Sequence, residues 1–149
     1  MRIPEIIELA QRNGAVKPED IRGLTRDEID RVGKANARGG PLPAAYEEFL
    51  LCAGGSFGTI GERFQMCYPD VLEIYSEACD YSNGTLGFLD ESDVLFGQNI
   101  GVNWYWLRAG ESDPPVVMCS EIQPTLRPVT IEPSFSRWLE IVVSVSGSR

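Results

Sequence analysis

The stretch VLFGQNIGVNWYWLRAGESDPPVVMC, residues Val94 to Cys119, decides the fold. Val94-Leu95-Phe96 is a short apolar run, closed by the Gly97 to Gly101 segment. Val102 to Arg108 follows, and the turn-rich Ala109-Gly110-Glu111-Ser112-Asp113-Pro114 leads to Val116-Val117-Met118. Aromatic and β-branched residues in short runs, bounded by Gly, Asn, Asp and Pro, read as successive antiparallel strands. Period-2 geometry puts Val102, Trp104 and Trp106 on one face of the middle strand, and Asn103, Tyr105 and Leu107 on the other. Trp104 and Trp106 read as core, the other reading being a partly exposed aromatic binding surface.

Outward from this meander, the chain length of 149 residues fits one domain able to bury about two thirds of its unfolded surface. The expected unit covers residues 1–149, helical over about 1–55, with the sheet and a C-terminal helix over about 60–145. Ile3, Ile6, Ile7 and Ala10 share a helical face after Pro4, and Asn13-Gly14 ends that helix. Thr25 and Glu28 form a capping box for a second helix, with Ile29 and Val32 as its apolar face and Gly39-Gly40 as its end. Residues 15–24 read as a loop. Tyr46, Phe49, Leu50 and Ala53 stand at i, i+3, i+4 and i+7, one buried stripe ending at Gly54-Gly55.

Arg63 to Tyr68 and Leu86 to Leu89 read as strands, with the Asn83-Gly84 turn before the second. Between them, Asp70 reads as the cap of a helix carrying Val71, Leu72, Tyr75 and Cys79 on one side. Ser134 caps a last helix with the stripe Phe135, Trp138, Leu139 and Val142. The fold class is therefore α+β: an antiparallel meandering sheet with N-terminal and C-terminal helices packed on one face.

Charge narrows the function. Net charge is −9, and it is uneven: residues 1–38 carry 8 basic and 7 acidic side chains, residues 39–149 carry 5 and 15. That surface repels phosphate backbones, so nucleic-acid binding is not expected, whereas a basic partner is attracted. No apolar stretch approaches the roughly 20 residues that span a bilayer, and MRIPEIIELAQ carries charges inside its apolar pattern. The expected location is the cytoplasm. The 4 cysteines, Cys52, Cys67, Cys79 and Cys119, lack metal-site spacing, and read as reduced, buried thiols without disulfides.

Catalytic chemistry finds little support. Gly54-Gly55-Ser56-Phe57-Gly58 matches the nucleophile elbow of hydrolases, but the chain contains 0 histidines to serve as base. No phosphate loop or dinucleotide fingerprint occurs. Asp90-Glu91-Ser92-Asp93 is a dense acidic run without the spacing of a calcium cage, and reads as a solvated rim. No enzyme activity, metal or cofactor is expected.

Leu42-Pro43-Ala44-Ala45-Tyr46-Glu47-Glu48-Phe49-Leu50, followed by Ala53-Gly54-Gly55, resembles the signature that opens the SUKH superfamily, the SMI/KNR-type fold. Asp113-Pro114-Pro115-Val116 and the Phe135/Trp138/Leu139 ending are similar to later steps of that family, and the resemblance spans residues 20–145. Ala53 departs from it, since many members carry Asn there. The resemblance implies a non-catalytic immunity protein that neutralises a bacterial polymorphic toxin by binding it, and such toxins are often nucleases. The alternative it implies is a regulatory protein-interaction scaffold. Candidate partner-binding residues are the acidic ones on connecting segments: Glu73, Glu77, Asp80, Asp90, Glu91, Asp93, Glu111 and Asp113. The candidate core is Tyr46, Phe49, Leu50, Trp104, Trp106, Phe135, Trp138 and Leu139.

Overall fold

A computed structural model of the chain describes residues 1–36, 41–82, 84–90, 92–108, 110–123 and 125–147. Its centre is the meander: β3 (Val94–Asn99), β4 (Asn103–Leu107), β5 (Val116–Ser120) and β6 (Val129–Glu132) lie antiparallel in sequence order. The sequence reading had missed β6, whose Val129-Thr130 half is exposed and gives no alternating signal. Two short strands, β1 (Ile21–Arg22) and β2 (Ser56–Phe57), pair separately, so residues 15–24 are more ordered than a loop.

The helical layer follows the apolar periodicity. In α1 (Ile3–Arg12) the buried residues are Ile3, Ile6, Ile7 and Ala10. The predicted capping box forms at α2 (Arg26–Ala35), where Thr25 accepts from the Glu28 N–H and Glu28 from the Thr25 N–H. Tyr46, Phe49, Leu50 and Ala53 form the buried stripe of α3 (Ala44–Ala53). Ser134 accepts from Arg137 N–H at the start of α6 (Phe135–Ser146), and Phe135, Trp138, Leu139, Val142 and Val143 are buried. α1, α3 and α6 pack on one another, and their rings reach the sheet. Tyr46 lies 6.0 Å from Phe96, and Trp138 lies 5.2 Å from Phe96 and 6.2 Å from Tyr105 between ring centroids. This is the helix-covered face that the meander requires.

The opposite face is closed too. Trp104 and Trp106 are both fully buried, and α5 (Ile74–Tyr81) packs on β3 there. Of the two readings of these rings, core and open aromatic surface, burial selects core.

Several local expectations are corrected. Arg63–Tyr68 is no strand: Gly58, at φ +56°, starts α4 (Gly58–Arg63), and Ile60 and Phe64 bury at helical spacing. The Phe64 carbonyl then accepts from Gln98 N–H at 2.8 Å, and the Asn36 side chain accepts from Leu95 N–H at 3.0 Å. Both bonds cover the outer edge of β3, which would otherwise invite another strand. Leu86–Leu89 is also no strand. Gly84, at φ +112°, and a 2.8 Å bond from Thr85 N–H to Ser82 Oγ turn the chain into a 3-10 helix, Thr85–Phe88. Asp70 opens a 3-10 turn, Asp70–Glu73, without a side-chain cap, and α5 starts after it. Gly39-Gly40 and Asn83 lie outside the described residues.

The Tyr46 hydroxyl is fully buried with no hydrogen-bond partner among the described residues, and burial pushes its ionisation well upward. An unsatisfied buried hydroxyl costs free energy that an apolar isostere avoids. Tyr46→Phe is therefore expected to raise stability by about 1 kcal/mol. A denaturant titration giving a lower midpoint for this variant would show that the hydroxyl has a partner.

Candidate partner-binding surface

The candidate acidic residues do not share one edge. Asp93 and Asp90 flank the start of β3 and both reach Arg108, at 3.0 and 3.6 Å. Glu111, exposed in the β4–β5 loop, lines a cleft there with Ser92 and Pro41–Ala44. Asp113 serves α6 instead: its carboxylate accepts from Ser136 N–H at 2.9 Å and from the Ser136 hydroxyl. Glu91 lies outside the described residues. Glu73, at the end of the 3-10 turn, and Glu77 and Asp80, on α5, form a separate group, of which Glu77 reaches Gln98 near the far end of β3.

Besides Asp113, two of these residues are not rim charges. Asp93 is buried in its ion pair with Arg108, whose guanidinium lies 5.9 Å from the Trp106 ring centroid. Glu77 is half-buried. Its carboxylate accepts from Gln65 Nε2 at 3.0 Å and from Gln98 Nε2, while Gln98 Nε2 also donates to Gln65 Oε1 at 2.9 Å. Glu73, Asp80, Asp90 and Glu111 are the exposed members.

Glu77 lines an open cleft of about 410 Å³ with Gln65, Tyr81, Gln98, Ile100, Gly101 and Trp104. One wall is the β3–β4 hairpin, closed by a 3.0 Å bond from Val102 N–H to Asn99 O. Its central residues, Ile100 and Gly101, have φ of +56° and +68°, the signs that a type I′ turn needs. Gly101 takes this conformation freely, whereas a β-branched side chain does so under strain. Gln98 Oε1 accepts from Gly101 N–H at 3.0 Å, tying hairpin, Gln65 and Glu77 into one network. Sequence reasoning passed over Gln65, Tyr81, Gln98 and Ile100. The available signals were a polar Gln inside the apolar β3 run and a β-branched residue between Asn99 and Gly101.

The arrangement offers little to catalysis. Ser56 Oγ donates to the Asp20 carbonyl at 2.6 Å, and β2 precedes α4, yet no imidazole exists to activate it. Burial pushes the Cys67 thiol up to about 12, which leaves it unreactive at neutral pH. The expectation that every cysteine is buried is corrected at Cys79, which α5 exposes; Cys52 and Cys67 are half-buried and Cys119 is buried. Among the described residues, no three of Cys, Asp and Glu gather in a metal-binding group. No helix among them is long and apolar enough to cross a membrane.

The fold is thus an antiparallel four-strand meander between a three-helix layer and α5, with polar clefts at its edges. The chain belongs to the SMI1 / KNR4 family (SUKH-1), whose family model matches residues 23–141. This family includes immunity proteins and is generally non-catalytic. No curated protein and no solved structure matches the chain.

Proposed function

We propose that the protein binds and neutralises a cognate toxin domain with a basic surface, without catalysis of its own. Family membership supports the immunity role, and one observation carries the choice of partner: 15 of the 22 acidic side chains fall in residues 39–149, against 5 basic ones. A nuclease toxin fits this partner, because a cleft that holds phosphate must be basic. Glu73, Asp80, Asp90 and Glu111, all exposed, are the groups that steer the encounter.

Rim charges set the rate of association, and salt screens them over about 8–10 Å at 0.1–0.15 M. Association with a basic toxin module as partner is expected to slow steeply as salt rises. Replacing Glu73, Asp80, Asp90 and Glu111 by lysine should lower kon at least tenfold, on the order of electrostatic steering effects, with the melting temperature nearly unchanged. Stopped-flow kinetics in a salt series is the measurement. A flat salt dependence, with the four-lysine variant still protecting cells from the toxin, sinks the acidic-surface reading.

A further inference from the structure

We infer that the cleft between α5 and the β3–β4 hairpin captures an arginine side chain of the protein partner, with Glu77 as its counter-ion. The inference deepens the proposed function, and rests on it for the nature of the partner.

The protein contains its own version of such a site. Trp104 and Trp106 share one face of β4, two residues apart. At Trp106, the Arg108 guanidinium lies 5.9 Å from the ring centroid and pairs with Asp93 at 3.0 Å and Asp90 at 3.6 Å. Over the buried Trp104, the cleft supplies the Glu77 carboxylate and the exposed Tyr81 phenol, but no lysine or arginine among its lining residues. Among the described residues, no cation lies within ion-pair distance of Glu77. Each Glu77 oxygen accepts one amide bond, from Gln65 or Gln98, so each keeps a lone pair for a further donor.

The walls point the same way. Tyr81 is 72% exposed and Ile100 92% exposed, so neither repays its apolar surface inside the folded chain. Ile100 in addition holds a left-handed conformation that a β-branched residue adopts at a cost. Covered by a partner's side chain, both bury apolar area beside the carboxylate. Arginine fits better than lysine: its planar fork matches the two free lone pairs of a carboxylate, and its flat face stacks on aromatic rings. Gln98 acts as a positioning residue, holding Glu77 and the Gly101 N–H in one network.

The first probe is N-acetyl-arginine amide, titrated into the 15N-labelled protein into the millimolar range and compared with N-acetyl-lysine amide. Saturable shifts are expected at the Gln65 and Gln98 side-chain amides, the Gly101 N–H and the Trp104 indole N–H, stronger for arginine. They should be lost in Glu77→Gln, and weakened in Tyr81→Ala, whose side chain is exposed and whose fold is safe. Ile100→Gly should melt no lower than wild type yet weaken the shifts. Against the basic toxin module used in the salt series, Glu77→Gln should raise koff about tenfold, as loss of a desolvated charge pair does. Shifts scattered over the acidic surface, equal for lysine and unchanged in Glu77→Gln, overturn the arginine site. A module that binds wild type and Glu77→Gln alike also overturns it, leaving the immunity role intact. Localised arginine shifts with no module binding uphold the cleft and overturn that role.

Discussion

Trp138→Ala is expected to lower stability by about 3–5 kcal/mol, the cost of removing a buried aromatic ring from a close-packed core. Trp138 is 4% exposed and is the ring through which α6 meets the sheet. Its centroid lies 5.1 Å from Phe64, 5.2 Å from Phe96, 6.0 Å from Phe135 and 6.2 Å from Tyr105. Those partners come from four different segments, so no single neighbour can shift to fill the void. Domains of this size are stable by only about 5–15 kcal/mol, and the loss should lower the melting temperature by roughly 10–15 °C. A variant that melts with the wild type would show that α6 does not seat this ring on the sheet.

Asp93→Lys is expected to be nearly as damaging, at about 3–5 kcal/mol, because it breaks a buried ion pair and sets a second cation against Arg108. The Asp93 side chain is 1% exposed, pairs with Arg108 at 3.0 Å and accepts from the Asp90 N–H at 2.9 Å, closing the turn before β3. Asp90→Lys is the internal control. Asp90 is 81% exposed and 3.6 Å from the same guanidinium, where an ion pair contributes about 0–1 kcal/mol. Denaturant midpoints of the two variants separate the roles. If Asp93→Lys unfolds with Asp90→Lys, the whole turn is a solvated rim, as the sequence suggests.

The limits of that reading follow from particular residues. Helix stripes were legible because their chemistry is local: Tyr46/Phe49/Leu50/Ala53 and Phe135/Trp138/Leu139/Val142 repeat at helical spacing and are buried. The Thr25–Glu28 capping box and the Ser134 cap were legible for the same reason. The 63–68 and 86–89 segments misled because short apolar runs fit either period, and Gly58 and Gly84, at positive φ, chose the turn.

The roles of the carboxylates were not legible at all. Asp90 and Asp93 are alike in sequence, yet one faces water and the other is sealed under Arg108. Glu77 is one of several acidic residues in its segment until Gln65 and Gln98, 12 and 21 positions away, close on it. Periodicity, capping and net charge are properties of neighbours along the chain, and the sequence by itself determined the first three strands of the meander, the helical stripes and the acidic sign. Burial and pairing of a charge depend on what distant segments bring to it. The tertiary structure alone therefore decided which carboxylates support the fold, and which remain available to a partner.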